Sequence, residues 1–249
     1  MGVLDLPGPL LNGLDHVLGL VAPASVRLAL WSALGGALSM ALYRVLSPQK
    51  RLAELEAKAA EARRALDAHE GEFAEAWPLI GQMLRLSLRR LRLVLWPALA
   101  AAVPMIALLV WLSTAFGHQF PPQGASVGAV AHPGTITARF VPAGGGMPEE
   151  GGSQALPRVL AVDGDDRPVA DMPLTAPVTT LHKRLWWNVL IGNPAGYLPD
   201  DGPTERIDLD LPKRQYLPFG PDWLRGWETL FLAAALLSSI AIKMAFRIR

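Results

Sequence analysis

Apolar residues gather in three blocks, centred on stretches free of Asp, Glu, Lys and Arg: Leu28 to Tyr43, Leu93 to Ala138 and Thr229 to Ile242. With its flanks, each offers about 20 largely apolar residues, enough to cross a ~30 Å hydrocarbon core as a helix. The middle stretch opens LVLWPALAAAVPMIALLVWLSTAFG, apolar on every face and too long for an ordinary buried helix. The pattern predicts transmembrane helices at 24–46, at 93–116 and within 223–249, the last followed by a short tail.

Two further helical patterns flank the first span. Leu10, Leu11, Leu14, Val17, Leu18 and Val21 recur at helical spacing while Asn12, Asp15 and His16 face elsewhere, which describes an interfacial amphipathic helix within residues 1–23. Over 47–92, Leu52, Leu55, Ala59, Ala62 and Leu66 step by three and four, as the seam of a coiled coil does. Phe73, Trp77, Ile80, Leu84, Leu88, Leu91 and Leu95 repeat the spacing, and the HEGE run around Gly71 supplies a reversal. The expected element is an antiparallel coiled-coil hairpin with Ser47 as candidate cap, its second helix running into span two. Pro78 marks an alternative start for that helix.

Residues 117–222 read differently. Pro and Gly punctuate the segment, acidic clusters DGDD and PDDG mark turns, and the runs GTITARFV and RIDLDL alternate as strands with one buried face. A small all-β domain, a sandwich or open barrel, is expected here, with RFVPAGGGMPEEGGSQALP as a loop inside it. The fold class is thus an α-helical integral membrane protein of three spans with a cytoplasmic hairpin and a small extracytoplasmic β-domain.

Charge supplies the orientation. Residues 47–92 carry Lys50, Arg51, Lys58, Arg63, Arg64, Arg85, Arg89, Arg90 and Arg92, and the C-terminal end carries Lys243, Arg247 and Arg249; the first 26 residues have no Lys or Arg. The positive-inside rule places 47–92 and the C-terminus in the cytoplasm, and the N-terminus and 117–222 outside. The N-terminal stretch has no basic start and two aspartates, so it does not read as a cleaved signal peptide. The net charge of +1 shows no basic face for nucleic acid, and with no cysteine the chain has neither disulfides nor thiolate metal sites.

Candidate chemistry is sparse. His132 and His182 stand in no metal-ligand spacing, no serine lies in a G-x-S-x-G setting, and AGGGMP lacks the lysine of a phosphate loop. Neither an enzyme nor a cofactor or metal site is expected. LWWNVLIGNPAGYLP is the most distinctive external run; Trp186, Trp187 and Tyr197 read either as a partner-binding or membrane-facing edge or as the aromatic core of the small domain. Within the spans, Arg27 and Arg44 lie at the outer and inner ends of the first, where either can snorkel. Pro97 and Pro104 in span two free backbone carbonyls, which are tolerated where protein or water satisfies them, so such spans commonly line a polar cavity.

In this order the segments resemble the Oxa1 superfamily of membrane insertases, with its YidC, Get1, EMC3, TMCO1 and archaeal DUF106 branches. LYRVLSPQKR looks like the end of that family's first core span, WPALAAAVPMIALLVWLSTAF like its proline-bearing second span, and PDWLRGWETLFLAAALLSSIAIKMAFRIR like the last span of the shorter branches. The resemblance covers roughly 10–116 and 218–249. It implies a hydrophilic groove open to the cytoplasm and the lipid, in which Arg44, with Pro97 and Pro104, receives polar parts of a client membrane protein being inserted. The expected partners are the bilayer and such clients or, alternatively, a fixed membrane-protein subunit. The long external β-domain, the short C-terminal tail and a hairpin whose only methionine is Met83 depart from the YidC pattern.

Overall fold

A computed structural model describes residues 2–68, 73–122, 125, 127–143 and 156–247. The HEGE reversal, Ser126, Ser153 and most of the glycine-rich loop therefore lie outside the described residues, as does the side chain of Phe73. In chain order the elements are a 3-10 turn Val3–Asp5, α1 (Gly8–Gly19), α2 (Ala24–Leu46), α3 (Gln49–Asp67), α4 (Phe73–Phe116), β1 (Ala129–His132), β2 (Thr137–Val141), β3 (Arg158–Val162), β4 (Pro168–Pro173), β5 (Thr180–His182), a 3-10 turn Trp186–Val189, β6 (Arg206–Leu209), α5 (Asp222–Arg225) and α6 (Trp227–Phe246). Three helices are long and apolar enough to cross a membrane: α2, the Trp77–Phe116 part of α4, and α6. The chain folds as two compact units, Met1–Leu28 with Ala107–Phe231, and Ala29–Ile106 with Leu232–Arg249.

The first unit contains the β-domain, built from two three-stranded antiparallel sheets ordered β1-β6-β5 and β2-β3-β4. GTITARFV and RIDLDL supply β2 and β6. Alternation puts one face of each strand inside: Leu181 pairs with Ile207 across β5 and β6, and Ala161 of β3 lies opposite Ala138 and Ala170. These residues, with Val159, Leu174, Leu198, Leu209 and Leu211, form one core shared by both sheets. That core is aliphatic. The DGDD turn between β3 and β4 closes on Asp163, whose carboxylate accepts the N–H groups of Asp165 and Arg167, while Asp166 takes a left-handed φ of 59°.

In the same unit a set of polar and aromatic contacts joins α1 to the ends of the long helices. Arg27 donates to both the carboxylate and the carbonyl of Asp15, and its guanidinium lies 5.7 Å from the ring of Phe116. Trp111 donates to Asn12 at 2.6 Å, and Tyr216 donates to the Phe116 carbonyl at 2.8 Å. Phe116, 1% exposed, is the hub. Arg27 is therefore an ion-pair partner inside the protein rather than a snorkelling side chain.

In the second unit α2 packs on α6 through Gly36, where a Cβ would lie 2.5 Å from the Ala235 carbonyl and also collide with Ser238. Small residues at such a crossing let helix backbones approach closely. Ser39 of α2 donates to the Ala101 carbonyl of α4 at 3.0 Å. Helix α4 continues through Pro78, Pro97 and Pro104 rather than starting at Pro78. Leu52, Leu55 and Ala62 of α3 are buried, Ala59 and Leu66 half-buried, and Glu56 pairs with Arg90 of α4. On α4 the expected seam is displaced. Leu84, Leu88, Leu91 and Leu95 are exposed, whereas Leu79, Met83, Leu86 and Leu93 are half-buried. Pro48, not Ser47, occupies the cap position of α3; the Ser47 carbonyl accepts the Gln49 N–H, and its buried hydroxyl has no hydrogen-bond partner among the described residues.

Candidate functional site

The residues expected to line a groove fall in the second unit. Pro97 and Pro104 are half-buried on α4, and each withholds the N–H that would bond the carbonyl four residues earlier, Leu93 and Ala100 respectively. The Ser39 hydroxyl reaches the neighbouring Ala101 carbonyl, so it is Ser39, not Arg44, that meets the proline-bearing helix. Arg44 is exposed further along α2, its guanidinium 4.6 Å from the ring of Phe246 near the end of α6. A cation over an aromatic face keeps its N–H donors directed outward, available to an acceptor. The serines of α2, Ser25, Ser32 and Ser39, opposite a proline-bearing helix were a signal available in the sequence, without a choice among the three. The pairing of Arg44 with a phenylalanine far along the chain was not.

The aromatics Trp186, Trp187 and Tyr197 belong to the first unit. Trp186 is 83% exposed and Trp187 38%, which overturns an aromatic core. The ring of His182 lies 5.3 Å from Trp187 and 5.8 Å from Tyr197, and the Arg184 guanidinium lies 5.9 Å from the centre of the Tyr197 ring. Asn188 fixes the turn from inside: it is 1% exposed, accepts the Leu185 N–H and donates to the Ile191 carbonyl. Asn193 does the same for the next turn, accepting from Ala195 and donating to the Thr180 carbonyl. Gly196 follows at φ +92°, a conformation that excludes most side chains. Trp187 and Tyr197 are thus brought together around His182, and Trp186 is turned away from them.

No family model, curated protein or solved structure matches this chain. Its chemistry is accordingly read from its own residues. Beside α1, the end of α4 and the Asn193–Tyr197 turn lies a cavity of about 710 Å³, lined by Asn12, Trp111, Thr175, Pro194, Tyr197 and Arg214 among others. It is walled mainly by apolar atoms, and Arg214 directs a long 3.5 Å contact to the Ala115 carbonyl. Around it, burial raises the Tyr216 phenol, with Arg214 opposing. Burial and then the charge of Lys213 lower the His118 imidazole, against the raising effect of Glu228. On the sheet, burial of Asp208 pushes its carboxyl up, but hydrogen bonds from Arg206 and Thr180 and the charges of Arg206 and His132 leave it lowered overall. Among the described residues no three His, Asp or Glu converge as metal ligands. What the arrangement provides is shaped apolar surface with a few fixed polar groups.

Proposed function

We propose that this chain is a multi-pass protein of a cell inner membrane that assists the insertion or assembly of other membrane proteins, without enzymatic chemistry. The observation that carries the reading is the order of elements: α1, a span, the α3–α4 pair, a span continuous with that pair, a sheet domain, and a last span. In this reading α3 and the start of α4 are a coiled-coil hairpin in the cytoplasm, where the basic residues of 47–92 place them, and the sheet domain is outside. The contact of Ser39 with the proline-bearing helix supports a polar line between spans, and Arg44 holds a fixed positive charge at its inner end. A client's polar or acidic segment would be drawn to that charge in a thinned, partly hydrated bilayer.

A second reading, a fixed subunit of a larger membrane complex, is favoured by one observation. The Leu84, Leu88, Leu91 and Leu95 stripe is exposed along α4 and has the spacing that another helix would cover. Photocrosslinkers placed at Ser39 and Arg44 in native membranes separate the two. Labelling of many nascent membrane proteins is expected; one stoichiometric partner overturns the insertase reading in favour of the subunit. In a depletion strain, Arg44→Ala is expected to slow client insertion severalfold, and unchanged insertion removes Arg44 from the groove.

A further inference from the structure

We infer that the Leu185–Ile191 turn is a lipid-inserted foot, by which the sheet domain stands in the same bilayer leaflet that receives the C-terminal end of α4. The inference rests on the three long helices spanning a bilayer and is independent of whether the protein inserts clients.

Four observations carry it. First, Trp186 is 83% exposed, Val189 59% and Leu190 53%, beside the equally exposed Val3 and Leu6. The two 3-10 turns are one surface: the Leu4 N–H donates to the Leu190 carbonyl at 2.9 Å, and the Gly192 N–H donates to the Asp5 carboxylate at 2.7 Å. Gly2 permits the approach, since a Cβ there would collide with the Leu190 carbonyl.

Second, leaving water costs this surface little. No charged residue occurs from Leu185 to Pro199. The polar side chains beneath are bonded inward: Asn188 to Leu185 and Ile191, and the Asp5 carboxylate to the N–H groups of Gly2 and Gly192. The hydrogen bonds already made by Asn188 and Asp5 lower the cost of bringing this surface to the bilayer interface, where an indole N–H such as that of Trp186 still meets headgroups.

Third, the foot lies at the level of an apolar helix. The cavity beside Asn193, Pro194 and Tyr197 is walled by Val110, Trp111 and Thr114 of α4, and a second cavity sets Leu185, Trp187 and Ile191 beside Ser113 and Thr114. Whatever solvent surrounds the last turns of α4 therefore surrounds the turn, and Trp is the residue favoured at that depth.

Fourth, α1 is arranged the same way. Asn12 and Asp15 bond to protein, while Leu10, Leu14 and Val17 are exposed. A helix that binds protein through Asn12 and Asp15 and presents Leu10, Leu14 and Val17 outward fits the bilayer interface better than water.

The chain has no cysteine, so single labelling sites need no background removal. Trp186→Cys, Val189→Cys and Leu190→Cys, each carrying a nitroxide, would be reconstituted as full chains in vesicles of phosphatidylethanolamine and phosphatidylglycerol. Collision with oxygen would be compared with collision with a water-soluble nickel chelate. Leu237→Cys on the exposed face of α6 is the lipid reference, and Asp201→Cys the aqueous one. The expected result is a depth parameter at 186 and 189 with the sign of position 237 and opposite to 201. Nickel access equal to that of Asp201→Cys overturns the foot. Exclusion of both reagents also overturns it, because protein rather than lipid then covers the turn. Position 190 carries the test should Trp186→Cys fail to fold.

Discussion

In the sheet domain Val159, Leu174, Leu181 and Ile207 are 0% exposed, whereas along α4 Leu84, Leu88, Leu91, Leu95 and Leu99 remain between 46% and 60% exposed. The residue types are the same; what surrounds them differs. Two small sheets face each other and satisfy one another's apolar surface, so the domain's cohesion is internal. The helices of the second unit touch through a glycine, a serine and an aromatic–cation contact, and most of their apolar surface is left for lipid or another chain. Burial therefore specifies the first region, and close approach of small residues specifies the second.

The sharpest way to break that contrast is Ile207→Ala. Ile207 sits at the centre of its sheet, flanked in register by Ala131 and Leu181, with no exposed surface. Removing its branched side chain leaves a cavity that backbone pairing on both sides prevents from closing, so the expected loss is about 2–5 kcal/mol. Chemical unfolding of the detergent-solubilised protein, followed through near-ultraviolet signals of the domain tryptophans, measures it. A loss well under 1 kcal/mol would mean that the core is not what holds the domain.

The helical unit should respond to added rather than removed volume. Gly36→Ala places a methyl group 2.5 Å from the Ala235 carbonyl, and backbone cannot swing aside as a side chain can. The expected cost is about 1–3 kcal/mol. Gly13→Ala in α1 is the control: nothing lies within 4 Å of a Cβ there, and alanine favours the helix by about 1 kcal/mol. Thermal melts in one detergent would show the first variant below the parent and the second at or above it. Equal melting of both would remove the close α2–α6 crossing from the account.

These tests also separate what the sequence could express from what it could not. The ends of α2 at 24 and 46 coincide with the expected span, because loss of charge and then its return is written within a few residues; the end of α4 at 116 coincides too, though there a glycine, Gly117, and not a charge follows the apolar run. The strands β2 and β6 were legible for the same reason, as alternation along one segment. The seam of α4 was not, since two leucine faces both satisfy a three-four spacing and only the position of α3 chooses Leu79, Met83 and Leu86. The aromatic-core reading failed because aliphatic residues from six strands fill the core, leaving Trp186 outside. Asp15 with Arg27, and Arg44 with Phe246, are pairings across chain distance that no local pattern encodes.

The smallest expected effect concerns pH and lies at the margin of the sheet domain. His118 forms an isolated bridge with Lys213 just beyond α4. Burial and that lysine hold its imidazole below the ordinary value of 6.5, in spite of Glu228. A histidine depressed in the folded state binds its proton more readily when unfolded. Its contribution to stability is then full above 6.5 and is lost as pH falls through that value toward the folded one. His118→Gln, which keeps a polar side chain of similar reach, should flatten the melting temperature between about pH 7.5 and pH 5.5, the interval in which histidines titrate. The two proteins differ only at this residue, so the difference between the two pH profiles isolates it. A variant profile as steep as the parent's would show that the imidazole titrates freely, and with it that the junction between α4 and the sheets is open to water.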